Sequence, residues 1–319
     1  FCHLTGALGA ALTLMDEGVE ESGFRGVELH EWTISVRSEV CDLCTNHCKL
    51  SVAEVDGESV AFGFLCGRDY ETRKFVRNNT SGFDLFKARR RATPRGRKKP
   101  NRTDFTVGIP AALHLFEDLH FWKRFFGSMG IRTVTSEHYP DAVKDGRHLA
   151  GAELCAPMTG LFAHVEYLRE RCDQIFLPFY LDQRPHEKGL RRQLCYYTQF
   201  APSVSGGSEG REGVITPLVY SLYGNLHTKA ELFRALRNVV PGGVSPFQIS
   251  SAFDDAVHGT EERREGLKRI YQAESRQGDG FHVVLLGRPY TVLSEWMNKG
   301  IPQTFASKGV RVFYQDMLS

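Results

Sequence analysis

The sequence predicts an α/β fold: a small four-cysteine metal-binding β-hairpin module, then Rossmann-like parallel-sheet domains, the last one truncated. Three observations carry this. Cys41, Cys44, Cys48 and Cys66 fall within one short stretch, three of them as C-D-L-C-T-N-H-C. From Asp104 onward, short apolar runs alternate with amphipathic stretches at the spacing of βαβ units. A further apolar run, F-H-V-V-L-L-G at residues 281–287, opens another such unit.

Each element follows from local pattern. Residues 6–15 (G-A-L-G-A-A-L-T-L-M) read as a short helix with small residues on one side, and an acidic linker follows to residue 26. The cysteine module spans residues 27–72. After Cys48 the chain alternates about Asp56-Gly57, and Asp-Gly favours a type I′ turn because both central positions need φ > 0. A hairpin there returns Cys66 to the other three cysteines. So small a module lacks a substantial core, and bound metal would supply much of its folding energy. Residues 73–103 read as a linker. Its later part, K-A-R-R-R-A-T-P-R-G-R-K-K-P-N-R-T (87–103), is basic, contains Pro and Gly, and is expected to be a solvated tether that does not pack.

Residues 104–280 read as an α/β domain with a helical extension. F-T-V-G-I (105–109) is a buried strand. Pro110 opens a long helix whose Ala112, Leu115, Phe116, Leu119, Trp122 and Phe126 keep helical spacing, with Gly130 as its terminator. A strand over 131–136, a polar segment over 141–152, a helix over about 158–171 and a strand over 174–180 complete a right-handed parallel arrangement. Residues 205–213 (S-G-G-S-E-G-R-E-G) read as a loop and 245–277 as mainly helical. The final unit, 281–319, is a strand that turns at Arg288-Pro289-Tyr290, a short helix over 301–307 and a strand over 310–314.

Composition bounds the function. The 319 residues suggest two or more domains. A formal charge of +2 is not that of a general polyanion binder. No run approaches the roughly 18–20 apolar residues of a membrane span. The apolar first fifteen residues lack the basic start and small-residue cleavage site of a signal peptide. Eight cysteines without such a signal point to a reducing, cytoplasmic setting and to thiol or metal chemistry. The abrupt first and last residues read as those of a piece of a longer protein.

Thiolates close in sequence can converge on one ion or cluster. At Cys41, Cys44, Cys48 and Cys66, zinc would make a closed structural site and a [4Fe–4S] cluster an electron relay; the spacing accommodates both. His47 reads as a bystander. A second pair is Cys155, in G-A-E-L-C-A-P-M, and Cys195, in L-R-R-Q-L-C-Y-Y. Cys155 falls ahead of a helix and after the carboxyl edge of the sheet, where open α/β sheets bind ligands and helix dipoles favour a thiolate. Arg191 and Arg192 precede Cys195. The alternative is two separate buried thiols. Cys172 reads as core, and His114, His120 and His164 as surface or hydrogen-bonded histidines. No P-loop, dinucleotide fingerprint or hydrolase elbow is present. The rival reading is a zinc-ribbon nucleic-acid-binding protein on an α/β scaffold, against which the basic run lacks aromatics for base stacking.

Several blocks carry a resemblance. They are V-G-I-P-A-A-L-H-L-F-E-D-L-H-F-W-K-R-F-F-G-S-M-G-I, G-A-E-L-C-A-P-M-T-G-L, I-F-L-P-F-Y-L, R-R-Q-L-C-Y-Y-T-Q-F-A-P and V-V-L-L-G-R-P-Y-T-V-L. Over residues 104–319 the chain resembles the large activase-related proteins of 2-hydroxyacyl-CoA dehydratases and benzoyl-CoA reductases, the CoA-substrate-specific enzyme activases. Residues 6–14 look like the closing helix of the actin-like ATPase domain that precedes this region in longer members, so residues 1–26 would be the end of that domain and a linker. The resemblance implies an ATP-coupled, low-potential iron–sulfur electron-transfer system of anaerobes. ATP would bind only in the ATPase part. The partner would be a CoA-ester dehydratase or similar reductase subunit, with self-association also open. By the same resemblance Cys155 and Cys195 would ligate a [4Fe–4S]-type cluster at the mouth of the sheet, with a third cysteine from outside this α/β region.

Overall fold

The computed structural model describes residues 4–18, 27–41, 47–55, 57–64, 79–94, 96, 104–183, 192–205, 213–220, 224–276, 281–294 and 296–318. Among these residues no helix is long and apolar enough to cross a membrane.

Helix α1 (Thr5–Asp16) forms where small and apolar residues predict it, and all of its residues are exposed, Leu8 and Leu12 included. Strands β1 (Ser35–Val40), β2 (Lys49–Val55) and β3 (Glu58–Phe62) make an antiparallel sheet in that order. Val55 pairs with Glu58 across the expected two-residue turn, with Gly57 at φ +78. Strand β1 has no counterpart in the sequence reading, because its S-V-R-S-E-V lies almost wholly exposed. Arg37 on β1 pairs with Glu54 on β2. Leu50 and Val52 pack with Cys41 and Cys48 into a small separate core.

The basic stretch corrects the tether reading. Residues 85–92 form α2 (Leu85–Ala92), N-capped by Asp84, whose side chain accepts the Lys87 N–H at 2.8 Å. Leu85, Ala88 and Arg89 are buried, because the helix has one apolar face and Arg89 has an ion partner: its guanidinium donates twice to Asp316, at 2.6 and 2.7 Å.

The first lobe begins with β4 (Thr106–Ile109), fully buried. The long helix expected after Pro110 is two pieces, α3 (Leu113–Glu117) and α4 (Leu119–Ser128), meeting at Asp118. Leu113 starts α3 at φ +48, which re-aims the chain before regular helix sets in. Gly130 terminates α4 as expected: at φ +74 it lets the Ile131 N–H reach back to the Phe126 carbonyl at 3.0 Å. Strand β5 (Arg132–Thr135) follows. The segment read as merely polar folds into α5 (Ala142–Leu149), which packs on α6 (Ala156–Arg169).

The strand expected over 174–180 is interrupted. β6 (Gln174–Phe176) and β7 (Phe179–Tyr180) are separated by Leu177-Pro178, and β8 (Asp182–Gln183) pairs with β9 (Arg192–Gln193) beyond them. After α7 (Tyr196–Ser205), the partner strand breaks in the same way into β10 (Val214–Ile215) and β11 (Leu218–Val219) around Thr216-Pro217. Proline has no N–H to give a ladder, so Pro178 and Pro217 divide one long pairing into two short ones. The four-stranded parallel sheet has the order β10-β6-β4-β5. The chain leaves β4 toward β5 and returns on the other side as β6. The carboxyl ends of β4 and β6 are therefore a topological switch point.

Helix α8 (Gly224–Leu236) precedes α9 (Pro246–Glu274), whose capping box joins Ser245 and Gln248. At 29 residues α9 is about 43 Å long. Its Ile249, Ala252, Phe253 and Ala256 lie in the first core and its Leu267 in a second. That second core is built on the parallel pair β12 (His282–Leu285) and β13 (Arg311–Tyr314), joined through α10 (Pro289–Val292) and α11 (Ile301–Ser307). Phe83, Leu85 and Ala88 complete it. β12 was expected to be buried; it is half-buried, with Phe281 and Leu286 exposed, because it pairs only with β13 among the described residues.

Candidate functional site

Four segments converge above the switch point. The turn after β4 starts α3, the chain before α6 carries Cys155, the chain after β9 carries Cys195, and α10 carries Tyr290. Pairing fixes two of them. The Leu194 N–H bonds the Leu181 carbonyl at 3.2 Å, tying Cys195 to the end of β7, and α10 packs directly on α3.

Cys155 is the N-cap residue of α6, in extended conformation, and is exposed. Cys195 is exposed as well, its Sγ 3.3 Å from the Thr198 hydroxyl. The alternative of two buried thiols is thus overturned. Both lie within electrostatic reach of Tyr290. Burial raises the pKa of the Tyr290 phenol above the ordinary tyrosine value; the Arg288 charge opposes this, and Cys195, Cys155 and Glu117 reinforce it. Residues 40 positions apart in sequence thus both act electrostatically on one buried tyrosine, which stays protonated and able to donate.

Behind the thiols runs a polar chain that sequence reasoning missed. The Trp122 indole N–H donates to the Tyr180 hydroxyl at 2.6 Å, and that hydroxyl donates to Asp118 at 2.8 Å. Burial, then the neighbouring Glu117 charge, pushes the Asp118 carboxyl up to about 6. The His114 ring lies 6.1 Å from Tyr180 and 5.8 Å from Tyr290, and its Nδ1 is 3.4 Å from Glu117. His114 was expected at the surface or hydrogen-bonded; it is buried. The sequence signal that could have found this group is R-P-Y directly after an apolar strand: a proline starting a helix at a carboxyl edge, with an aromatic next to it.

The other candidates lie elsewhere. His164 is fully buried, with Nδ1 2.9 Å from the Ser136 hydroxyl and Nε2 without a partner, so it is not the satisfied histidine expected. Burial holds it down to about 3, hence neutral. Cys172 donates to the Leu168 carbonyl at 3.1 Å, and burial first of all raises its thiol. In the cysteine module, Cys41 and Cys48 are buried side by side, the Cys41 N–H bonding the Cys48 carbonyl at 2.9 Å. Cys44 and Cys66 lie outside the described residues. Among the described residues no three Cys, His, Asp or Glu side chains converge as a metal site.

Comparison with known families gives one match. Residues 106–318 match the model described as the CoA enzyme activase uncharacterised domain (DUF2229). No curated protein matches the chain, and no solved structure does.

Proposed function

The chain belongs to the CoA enzyme activase family, and from that premise we propose that it is a component of an ATP-coupled, low-potential iron–sulfur electron-transfer system that activates, or resembles, a 2-hydroxyacyl-CoA dehydratase. The observation that carries the reading is that Cys155, the N-cap residue of α6, and Cys195, following β9, are both exposed in segments at the carboxyl edge of a parallel sheet. Two open thiols at a ligand-binding edge fit part of a cluster's thiolate set; a complete [4Fe–4S] set needs four, so the remaining ligands would come from elsewhere.

A cluster held there would take up and release one electron. The chain's own residues would do the rest. Tyr290, buried and protonated, would offer a hydrogen bond toward thiolate sulfur, a contact that raises a potential. Thr198 would hold the Cys195 sulfur in place, and Arg288 would add positive charge. The quartet Cys41, Cys44, Cys48 and Cys66 would be a second site, for zinc or a cluster. ATP would act only in an ATPase domain outside these residues, and the electron would pass to a CoA-ester dehydratase or related reductase subunit.

Anaerobic reconstitution with iron and sulfide, followed by EPR of the reduced protein, tests this. The expected result is a reduced-cluster signal from which Cys155→Ser and Cys195→Ser each remove the same component. Protein that holds zinc alone, without acid-labile sulfide, would overturn the proposal; a signal untouched by both substitutions would remove Cys155 and Cys195 from it.

A further inference from the structure

A second concavity, of about 500 Å³, opens between the two lobes. It lies where the carboxyl ends of β5, β12 and β13 face one another: Glu137 and His138 follow β5, Gly287 and Arg288 follow β12, and Gln315 and Asp316 follow β13. Both parallel sheets thus turn their ligand-binding edges toward it. Helices α2, α3, α4, α9 and α10 supply the remaining walls.

Its charge is unbalanced. Five cationic side chains line it: Arg89, Arg90, Lys123, Arg263 and Arg288. Three carboxylates do so, Glu117, Glu137 and Asp316. Two of these are engaged with cations, Asp316 by both guanidinium nitrogens of Arg89 and Glu137 by Lys123 at 2.9 Å. Glu117 sits against His114. Arg263 is half-buried, and no carboxylate of the described residues lies within ion-pair distance of it; its Nε bonds the Thr93 hydroxyl at 3.2 Å. Burial, and then the nearby Arg89 charge, lowers Arg263 to about 10. His120, on the same wall, is held down to about 4 by burial and then by Arg263. Burial is the larger cause for both groups, and neighbouring positive charge adds to it. A buried guanidinium without a direct carboxylate partner is costly; the nearby Asp316 charge offsets part of this but is already held by Arg89, and an anion seated beside Arg263 would lower the remaining cost.

We propose that this interlobe cleft binds a small phosphate-bearing ligand, held by Arg263 from below and by Arg90 and Arg288 from the rim. Guanidinium groups match phosphate oxygens in pairs. Phe86 and Phe116 give the cleft an apolar wall, which suits the organic part of a phosphate ester. Arg288 and Pro289, next in sequence to Tyr290, line the cleft.

Calorimetric titration of the full chain with inorganic pyrophosphate at low salt tests the proposal, and it is independent of whether iron is bound. The expected result is one site, weakened about tenfold or more by Arg90→Gln, Arg263→Gln and Arg288→Gln, as loss of a hydrogen bond to a charged group would produce. Arg147→Gln, an exposed arginine that does not line the cleft, is expected to leave affinity within twofold. Because Arg90 and Arg288 are exposed, their variants keep the test valid even if Arg263→Gln fails to fold. Absence of binding up to millimolar pyrophosphate would overturn the proposal, as would equal weakening by Arg147→Gln, which would mean diffuse charge. Citrate binding as tightly as pyrophosphate would refute the phosphate assignment.

Discussion

Asp118 shows how a single residue can set a measurable property of this protein. It stands at the junction of two helices, its carboxylate accepts the Tyr180 hydroxyl, and its pKa is raised to about 6. Below about pH 4 it is protonated in both folded and unfolded chains and exacts no penalty. As pH rises from there to about 6, the unfolded chain releases this proton and the folded chain holds it, so stability falls. The loss is at most about 3 kcal/mol, because part of the residue remains wet. Asp118→Asn keeps an acceptor for Tyr180 and should flatten this part of the profile; urea unfolding at several pH values between 4 and 7 will show whether the two curves converge at the acid end. Tyr180→Phe should cost about 1–3 kcal/mol at every pH, since it strands the Trp122 N–H in the core. Residue-level legibility divides along the same line. Cys155 and Cys195 stand out in the sequence because cysteine is chemically distinctive. Tyr290, Tyr180 and Asp118 do not, because ordinary residue types acquire a role only when distant segments pack them together.

At the scale of elements, α5 and α6 show why pattern and packing disagree. D-A-V-K-D-G-R-H-L has charges and a central glycine, so it reads as a polar connection. Gly146 is instead what lets α5 lie against α6: a Cβ there would fall 2.0 Å from the Thr159 carbonyl oxygen. Gly146→Ala should therefore cost about 3 kcal/mol or more, since neither backbone can give way cheaply. Gly127, inside α4, has nothing within 4 Å of a built Cβ, and Gly127→Ala should gain up to about 1 kcal/mol from the smaller entropy of the unfolded chain. Denaturant midpoints of the two variants should move in opposite directions; a shared direction would contradict the close helix approach. The basic helix α2 was illegible for a related reason. Its three consecutive arginines look solvated until Arg89 meets Asp316, 227 residues away. Buried strands, by contrast, were legible where they are short apolar runs, as β4 and β13 are, because their burial needs no particular partner to be predicted; the exposed β1 was not. Where they broke, at Pro178 and Pro217, the cause was visible in the sequence, but the pairing that gave it meaning was not.

For the whole molecule, the extent of the family match and the extent of the physical unit differ, and the difference can be measured. The match begins at residue 106, yet the second core includes Phe83, Leu85 and Ala88, packed with Leu267, Phe313, Tyr314 and Met317. The segment before α2 is pinned as well: the N–H groups of Thr80 and Ser81 both bond the Ala306 carbonyl, at 3.1 and 3.2 Å. Among the described residues, none before Phe83 enters either of the two larger cores. A chain begun at Asn79 should therefore unfold at nearly the same temperature, in its main transition, as the 319-residue chain. One begun at Asp104 loses two large buried side chains and the Arg89–Asp316 pair, and exposes the face of β13 they covered. At about 1.5–3 kcal/mol for each large apolar side chain, the loss comes to roughly 4 kcal/mol or more, concentrated in the second lobe. Because α9 threads both cores, that loss should pull the first lobe's transition down with it rather than appear as a separate early step. Calorimetric scans of the two truncated chains will decide the point. Equal transition temperatures would mean that α2 is an ornament on the family domain, whereas a lowered single transition in the shorter chain would make the helix, and the Arg89 and Arg90 it brings to the interlobe cleft, part of the domain's working unit.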